Sequence, residues 1–486
     1  MNDTPSQQTP ELANPQDTGS RTYVYLVSAV AAIGGLLFGF DTAVISGANV
    51  FIQQQFAVTP LFQSLAAWLS VEKPAALQEG FIVSNLLIGC VVGVSVAGTL
   101  SDRFGRRRVL IAAAVLYAMS AVLSALPRTV EELIAARFIG GLGVGIASML
   151  SPMYIAEVAP ARIRGRLVTM NQLAIITGIL AAYVVDWLLV DIGPTNWRWM
   201  FASEALPAGL FLIALLFVPE SPRWLIKEGR TDDASDILTR VGGRTNAQKE
   251  LLEIRSAIAE EAGSVRQLFE PGLRIALVIG VVMAILQQVT GINTILYYAP
   301  RIFLNAGYEN ASSAFLASII VGATNALCTV IALWLIDKVG RKPLLLVGSA
   351  GMGVSFLVLG LAFRGDAPSG PWILIPILSY VACFAVGLGP VVWVLLSEIF
   401  PTRIRGRAMS LATICLWIAC FGVSQTFPVL VENKHIGPSG TFWMYAIMCA
   451  VTFVFVWRVV FETKGKTLEQ IERLLIETKR QPKPPS

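Results

Sequence analysis

The sequence predicts an all-α membrane protein, with twelve transmembrane helices in two six-helix repeats and short helices outside the membrane. Three observations predict it. Of 486 residues, 55% are hydrophobic and only 14% charged, against about 25% charged in a soluble protein. Apolar runs of about 20 residues, enough to cross a bilayer, recur twelve times. Three acid–base motifs also appear once in each half. Asp102-Arg-Phe-Gly-Arg-Arg and Asp337-Lys-Val-Gly-Arg-Lys lie 235 residues apart; Glu157-Val-Ala-Pro-Ala-Arg-Ile-Arg-Gly-Arg and Glu398-Ile-Phe-Pro-Thr-Arg-Ile-Arg-Gly-Arg lie 241 apart; Glu220 and Glu462 lie 242 apart. A duplicated unit explains three matched pairs at nearly one offset; chance does not.

The spans fall at 23–47, 80–100, 109–127, 132–155, 166–189 and 199–218, then at 274–300, 312–336, 344–364, 372–397, 408–430 and 441–461. Breaks are expected in the fourth and tenth, at Pro152 and Pro390. The chain divides into an N-terminal tail 1–22, a bundle 23–218, a linker 219–273, a second bundle 274–461 and a C-terminal tail 462–486. The first tail is polar, so no cleavable leader is expected. The linker has helical spacing at Asp232–Val241 and Ala247–Ala262 and is too short to bury more than a small core, so it reads as amphipathic helices rather than an enzyme domain. The mixed-charge tail Thr467–Lys479 reads as a further helix, and 48–79 as the other sizeable loop.

Basic residues set the orientation. Arg103, Arg106, Arg107 and Arg108 follow span two, Arg162, Arg164 and Arg166 span four, Lys338, Arg341 and Lys342 span eight, and Arg403, Arg405 and Arg407 span ten. Loops on the other side hold one or two basic residues each. These Arg-rich loops and both termini are therefore expected on the cytoplasmic side of the cell membrane. The net charge of +5 reflects that topology rather than a nucleic-acid partner. The six cysteines lie in apolar spans without paired spacing, and the one histidine, His435, lies in a loop, so neither disulfide nor metal site is expected.

Polar residues inside the spans are the functional candidates. Span seven carries Gln287, Gln288, Thr290, Asn293, Thr294, Tyr297 and Tyr298. All but Gln288 share one broad face at helical spacing, and a break near Gly291 would turn Gln288 inward. Uncharged amides and phenols at that depth suit a neutral polyol; the competing reading is hydrogen bonding between helices. Asp41 lies well inside span one, at a depth similar to Arg137. A pair whose balance changes with conformation could carry a proton, whereas a static pair would only hold the helices; Glu204, in span six, is a weaker member of the same route. Two like halves around a central site can rock to open either side. Asp102, Arg103, Arg106, Glu157 and Arg164, with Asp337, Arg341, Glu398 and Arg405, are expected to latch the halves together at the Arg-rich end, unless they serve topology alone. The run Gly140-Gly-Leu-Gly-Val-Gly145 lies inside a span with no preceding strand, which points to close helix packing rather than a nucleotide loop.

From span one to Gly465 the chain resembles the sugar porter family of the major facilitator superfamily. The likeness rests on the DRFGRR motif, the repeated E-x-x-P-x-R-I-R-G-R, Pro219-Glu-Ser-Pro-Arg-Trp-Leu, QQVTGIN with its Tyr pair, Gly389-Pro-Val-Val-Trp393 and Glu462-Thr-Lys-Gly, although Phe461 stands where the family usually has Pro. Within the family the likeness is to bacterial xylose:proton symporters and related glucose carriers. The resemblance implies the major facilitator fold and a sugar site made by Gln172, Gln287, Gln288, Asn293 and Trp393, with Tyr297, Tyr298 and Asn325 as second contacts and Phe38 and Trp417 as aromatic walls. Ile179 stands where the xylose carriers have a glutamine, and Leu416 and Cys420 replace polar residues of span eleven. Proton-coupled members carry the Asp41 and Arg137 pair, whereas animal facilitative glucose carriers have Asn at the Asp position. The implied protein is a monosaccharide:proton symporter that acts on a hexose or pentose in the lipid bilayer, as a monomer. It performs no chemical catalysis and uses no cofactor beyond protons. A sugar uniporter, a non-transporting sugar sensor and an ion-driven drug exporter are the alternatives. Asp41 argues against the first, the short tail against the second and the amide-rich span seven against the third.

Overall fold

A computed structural model describes residues 19–160, 163–260, 273–364, 370–400 and 405–464. Within the first half the helices are α1 (Arg21–Gln55), α2 (Pro60–Trp68), α3 (Pro74–Phe104), α4 (Arg106–Ala125), α5 (Val130–Val158), α6 (Arg164–Leu189), α7 (Asn196–Ser203) and α8 (Ala205–Leu215). The linker forms α9 (Pro222–Lys227), α10 (Thr231–Gly242) and α11 (Arg244–Glu260). The second half holds α12 (Leu273–Val289), α13 (Ile292–Asn305), α14 (Ala311–Val339), α15 (Arg341–Ala362), α16 (Gly370–Val386), α17 (Leu388–Ile399), α18 (Arg405–Glu432) and α19 (Gly437–Arg458). Twelve spans result among the described residues. Three are interrupted, between α7 and α8, between α12 and α13, and between α16 and α17. Side chains begin several helices: Ser20, Thr129 and Asn310 each accept from a backbone N–H three residues on, which occupies a donor the first turn leaves open.

Several boundaries differ from the sequence expectation. Span one runs to Gln55 and span two starts at Pro74, so the loop expected at 48–79 shrinks to a short connection around α2. Polar Asn49 and Gln53 end the apolar run, but a helix keeps its hydrogen bonds beyond the hydrocarbon. Pro152 does not break α5, which passes through it. In span ten the break is at Gly387 instead of Pro390; Pro390 sits in the first turn of α17, where no N–H is needed. The expected linker helices are present as α10 and α11. The helix expected over Thr467–Lys479 lies outside the described residues.

Close approach of helices explains the Gly run in span four. A Cβ on Gly89 would lie 2.9 Å from Gly141 Cα, and one on Gly145 2.9 Å from Cys90 Cα, so α3 and α5 touch backbone to backbone where a larger residue has no room. Large apolar side chains such as Leu206 and Phe217, 81% and 82% exposed, point outward, as a lipid-facing surface requires.

The two halves meet chiefly through α1 with α13, α6 with α14, and α3 with α18. Their hydrogen bonds gather toward the end opposite the Arg-rich loops. Ser84 Oγ donates to Gln425 Oε1 at 2.8 Å, Gln425 Nε2 to the Leu77 carbonyl at 3.1 Å, and Trp187 Nε1 to Ser312 Oγ at 3.3 Å. Tyr183 OH donates to the Leu296 carbonyl at 2.8 Å. The molecule is therefore closed at that end.

Candidate functional site in the centre of the bundle

Span seven is built around its break. Gly291 takes φ +92°, a left-handed conformation that costs a residue with a Cβ about 1–2 kcal/mol. The turn leaves backbone groups unpaired, and side chains recover them: Tyr380 OH donates to the Thr290 carbonyl at 2.9 Å. Gln287 Nε2 donates to the carbonyls of Leu388 and Gly389, at 2.8 and 3.1 Å, beside the matching break in span ten. Gln288 Nε2 donates to Gln287 Oε1 at 3.3 Å, and Asn293 Nδ2 donates to Gln288 Oε1 at 2.6 Å. The break thus brings Gln288 into line with the other two amides.

The polar face divides in two. Thr290 Oγ1 donates to the Gln287 carbonyl, Thr294 Oγ1 shares a hydrogen bond with Tyr445 OH, and Tyr298 OH donates to the Ser424 carbonyl at 2.9 Å while its ring packs 4.9 Å from Phe427. Thr294 and Tyr298 thus bond other helices, and Thr290 is satisfied within its own. Asn293, Tyr297 and Cys420 form the other group: the Cys420 thiol meets Asn293 Nδ2 at 2.9 Å and also Tyr297. Trp417, 4% exposed, has its ring edge-on to Phe38 of the other half with centroids 5.4 Å apart. Its indole Nε1 is buried without a partner. Gln172, Asn293, Trp393 and Phe38 are half-buried, and Asn325 is buried. The amides of span seven, an unpaired indole N–H and two aromatic rings therefore meet at the seam of the halves.

Within the first half, Asp41 ion-pairs with Arg137, and both are buried. The Arg137 guanidinium also lies 5.4 Å from the centre of the Phe201 ring. Glu204, at the interruption between α7 and α8, is 1% exposed and close enough to interact electrostatically with Asp41 and Arg137. Asp41 Oδ2, Glu204 Oε1 and Tyr117 OH have no hydrogen-bond partner. One guanidinium cannot balance two carboxylates, so this buried pocket is neutral only when it holds one proton.

At the Arg-rich end the acid–base sets form two matching clusters. Arg106 Nε and Nη2 reach Glu157 at 3.0 and 3.1 Å and Nη1 reaches Asp102 at 3.1 Å. Arg341 Nε and Nη2 reach Glu398 at 3.1 and 2.7 Å, and Nη1 reaches Asp337 at 3.3 Å. Ser221 Oγ completes Glu157, and Thr463 Oγ1 completes Glu398. Glu220 accepts the backbone N–H groups of Arg106 and Arg107 at 2.9 and 3.0 Å, and Glu462 those of Arg341 and Lys342, each at 3.0 Å. An anion at a helix N-terminus is favourable. It also explains Gly105 and Gly340, which precede α4 and α15 with φ of +94° and +106°, each with a carboxylate where a Cβ would stand. Burial pushes the Glu462 carboxyl up, but the N–H groups of Lys464, Arg341 and Lys342 outweigh it and hold it below the usual glutamate range.

The sets are expected to latch the halves to each other at the Arg-rich end; with the opposite end closed, each cluster is paired within its own half. The unit was copied with its partners. Arg164 instead reaches linker Glu250 at 3.3 Å, exposed Arg103 lies 5.3 Å from the centre of the Phe104 ring, and the Arg405 side chain lies outside the described residues.

Three charged residues escaped the sequence reading. Asp186 is 1% exposed in α6, its carboxylate set against Gly47 of α1 with no cation paired to it among the described residues, and the argument that singled out Asp41 applies to it equally. Glu79 and Arg301 fell just beyond the expected ends of spans two and seven.

Two like six-helix halves around an amide-lined seam, with a buried carboxylate–guanidinium set beside it, define a membrane carrier of the major facilitator class. The chain belongs to the sugar (and other) transporter family, whose model matches residues 27–475. It is 44% identical over 483 residues to the arabinose-proton symporter of Bacillus subtilis (strain 168), covering 98% of this chain and 100% of that one. It is also 44% identical over 483 residues to the D-xylose-proton symporter of Escherichia coli (strain K12), covering 93% of this chain and 96% of the relative. Among solved structures, the E. coli xylose transporter XylE in a partially occluded inward-open conformation superposes with a TM-score of 0.81 at 43% identity, covering 92% of this chain and 100% of that one.

Proposed function

We propose that this protein carries a monosaccharide, a hexose or pentose, into the cell together with a proton, by alternating access. The observation that carries the reading is the buried set of one guanidinium, Arg137, and two carboxylates, Asp41 and Glu204, beside a seam of uncharged donors. A proton completes the first, and a neutral polyol suits the second. The sugar contacts are Gln172, Gln287, Gln288, Asn293, Tyr297, Asn325 and Trp393, with the Trp417 indole N–H as a further donor and Phe38 as the facing wall. Asn293 and Tyr297 exchange their bond to Cys420 for sugar hydroxyls. The Arg-rich loops and both chain ends lie in the cytoplasm, so the closed end is the outer one, and the protein works as a monomer. The twin Arg106 and Arg341 clusters stiffen the cytoplasmic end of each half, so that each rocks as one body.

The test is sugar-induced proton uptake in proteoliposomes across arabinose, xylose, glucose, galactose and inositol. The expected result is alkalinisation of the outer medium with at least one sugar. Sugar movement without proton movement would make the protein a uniporter, and binding without movement a sensor.

A further inference from the structure

The two halves do share a buried charge bridge, at the end opposite the one the sequence pointed to. Arg301, near the end of α13, ion-pairs with Glu79 of α3, in the other half, and donates to Glu432 of α18 in its own. The Glu79 side chain is 1% exposed, and its remaining contact is Asn49 Nδ2 of α1, which donates to Glu79 Oε1 at 2.7 Å. In this closed arrangement the counter-charge of Glu79 comes from the opposite half.

We propose that Glu79, Asn49 and Arg301, backed by Glu432, form the outer latch of this carrier, a device that holds the outer end closed and must break before sugar enters from outside. The inference rests on the alternating-access reading above. When the outer ends part, Arg301 keeps Glu432, while Glu79 keeps Asn49 and meets water, so neither charge is stranded in either state. The latch therefore biases the two states rather than locking one. Two further pairs cross the same rim, Lys73 with Glu432 at 3.4 Å and Lys434 with Glu72 at 3.6 Å. The lysines are 55% and 76% exposed, and exposed pairs contribute little. The buried Arg301–Glu79 contact dominates.

The test uses pulsed EPR distances between spin labels at Leu61→Cys and Glu309→Cys on the outer rim, in nanodiscs. The background keeps the buried Cys90, Cys420 and Cys449, has Cys328, Cys383 and Cys415 replaced, and must retain sugar counterflow. Glu79→Gln and Arg301→Met should each raise the outward-open to inward-open ratio about tenfold, the worth of one charge-assisted hydrogen bond. The double variant should shift it no further than the larger single change, and Lys434→Ala should leave it unchanged. Glu79→Gln with active counterflow and the parent's distance distribution would overturn the latch, as would strictly additive shifts. A parent protein that binds sugar but shows no counterflow would instead overturn the carrier reading beneath it.

Discussion

Replacing Asp41 with Asn should uncouple sugar from the proton without stopping the carrier. The arithmetic is one of charge. Wild type sets Arg137 against Asp41 and Glu204, all buried, and the set is neutral only with a proton aboard. In Asp41→Asn, Arg137 and Glu204 balance one to one, so the pocket is neutral with no proton to bind. The Asn oxygen can still accept from Arg137 Nη1, the contact Asp41 makes now, so folding loses about 1 kcal/mol, the difference between a charged and a neutral hydrogen bond. Transport loses far more. One proton per sugar is worth about 1.4 kcal/mol per pH unit, or tenfold accumulation. A potential of 100 mV adds about 2.3 kcal/mol, near fiftyfold. In proteoliposomes with both gradients imposed, wild type should approach a ceiling of about 500-fold, whereas Asp41→Asn should stop at an inside-to-outside ratio of one while keeping counterflow. An Asp41→Asn protein that still concentrates sugar would refute the reasoning and leave the ion pair a structural one.

Trp417→Phe keeps a ring against Phe38 but removes the unpaired indole N–H. Sugar affinity by titration calorimetry should fall about three- to tenfold, the worth of one neutral hydrogen bond, and an unchanged Kd would exclude that N–H as a sugar donor. Gly291→Ala places a Cβ at positive φ, 3.1 Å from the Tyr445 ring, and should cost about 1–2 kcal/mol of stability; a variant with wild-type Tm would show that the break does not depend on glycine. Glu462→Gln removes a carboxylate whose folded value lies below its unfolded one. Its stabilisation is complete above the unfolded value and disappears as pH falls through the folded one. The Tm gap between wild type and variant should hold steady near neutrality and close below about pH 4, and a gap that persists in stronger acid would mean that charge is not the cause.

Most of the fold was legible because in lipid the backbone must satisfy itself, so hydrophobic run length and helix nearly coincide. The exceptions have one physical origin. A hydropathy run ends where polar side chains begin, but a helix ends where its hydrogen bonds do, which is why α1 continues to Gln55 and α3 starts at Pro74. That same margin hid Glu79 and Arg301, which looked like loop residues. The break at Gly291 was readable because glycine marks it; the division of span seven into structural and seam-lining polar groups was not. Thr290, Thr294 and Tyr298 share the face of Asn293 in sequence. Only the positions of Tyr445, Ser424 and their own helix decide which hydroxyls are already engaged.

Duplication accounts for what is symmetric here, and coupling needs what is not. The Arg106 and Arg341 clusters are copies, each paired within its own half in this arrangement. On the proposed reading, the groups that differ between halves carry the cycle: the proton set of Asp41, Arg137 and Glu204 belongs to the first half, whereas the amides of Gln287, Gln288 and Asn293 and the Trp417 N–H belong to the second. A sugar held mainly by one half and a proton held wholly by the other act on the same rocking motion only through contacts that cross the seam. Phe38 against Trp417 joins the halves at their centre, and Arg301 with Glu79 joins them at the rim. Each ligand then changes the cost of making or breaking those contacts, which is the differential interaction that coupling requires.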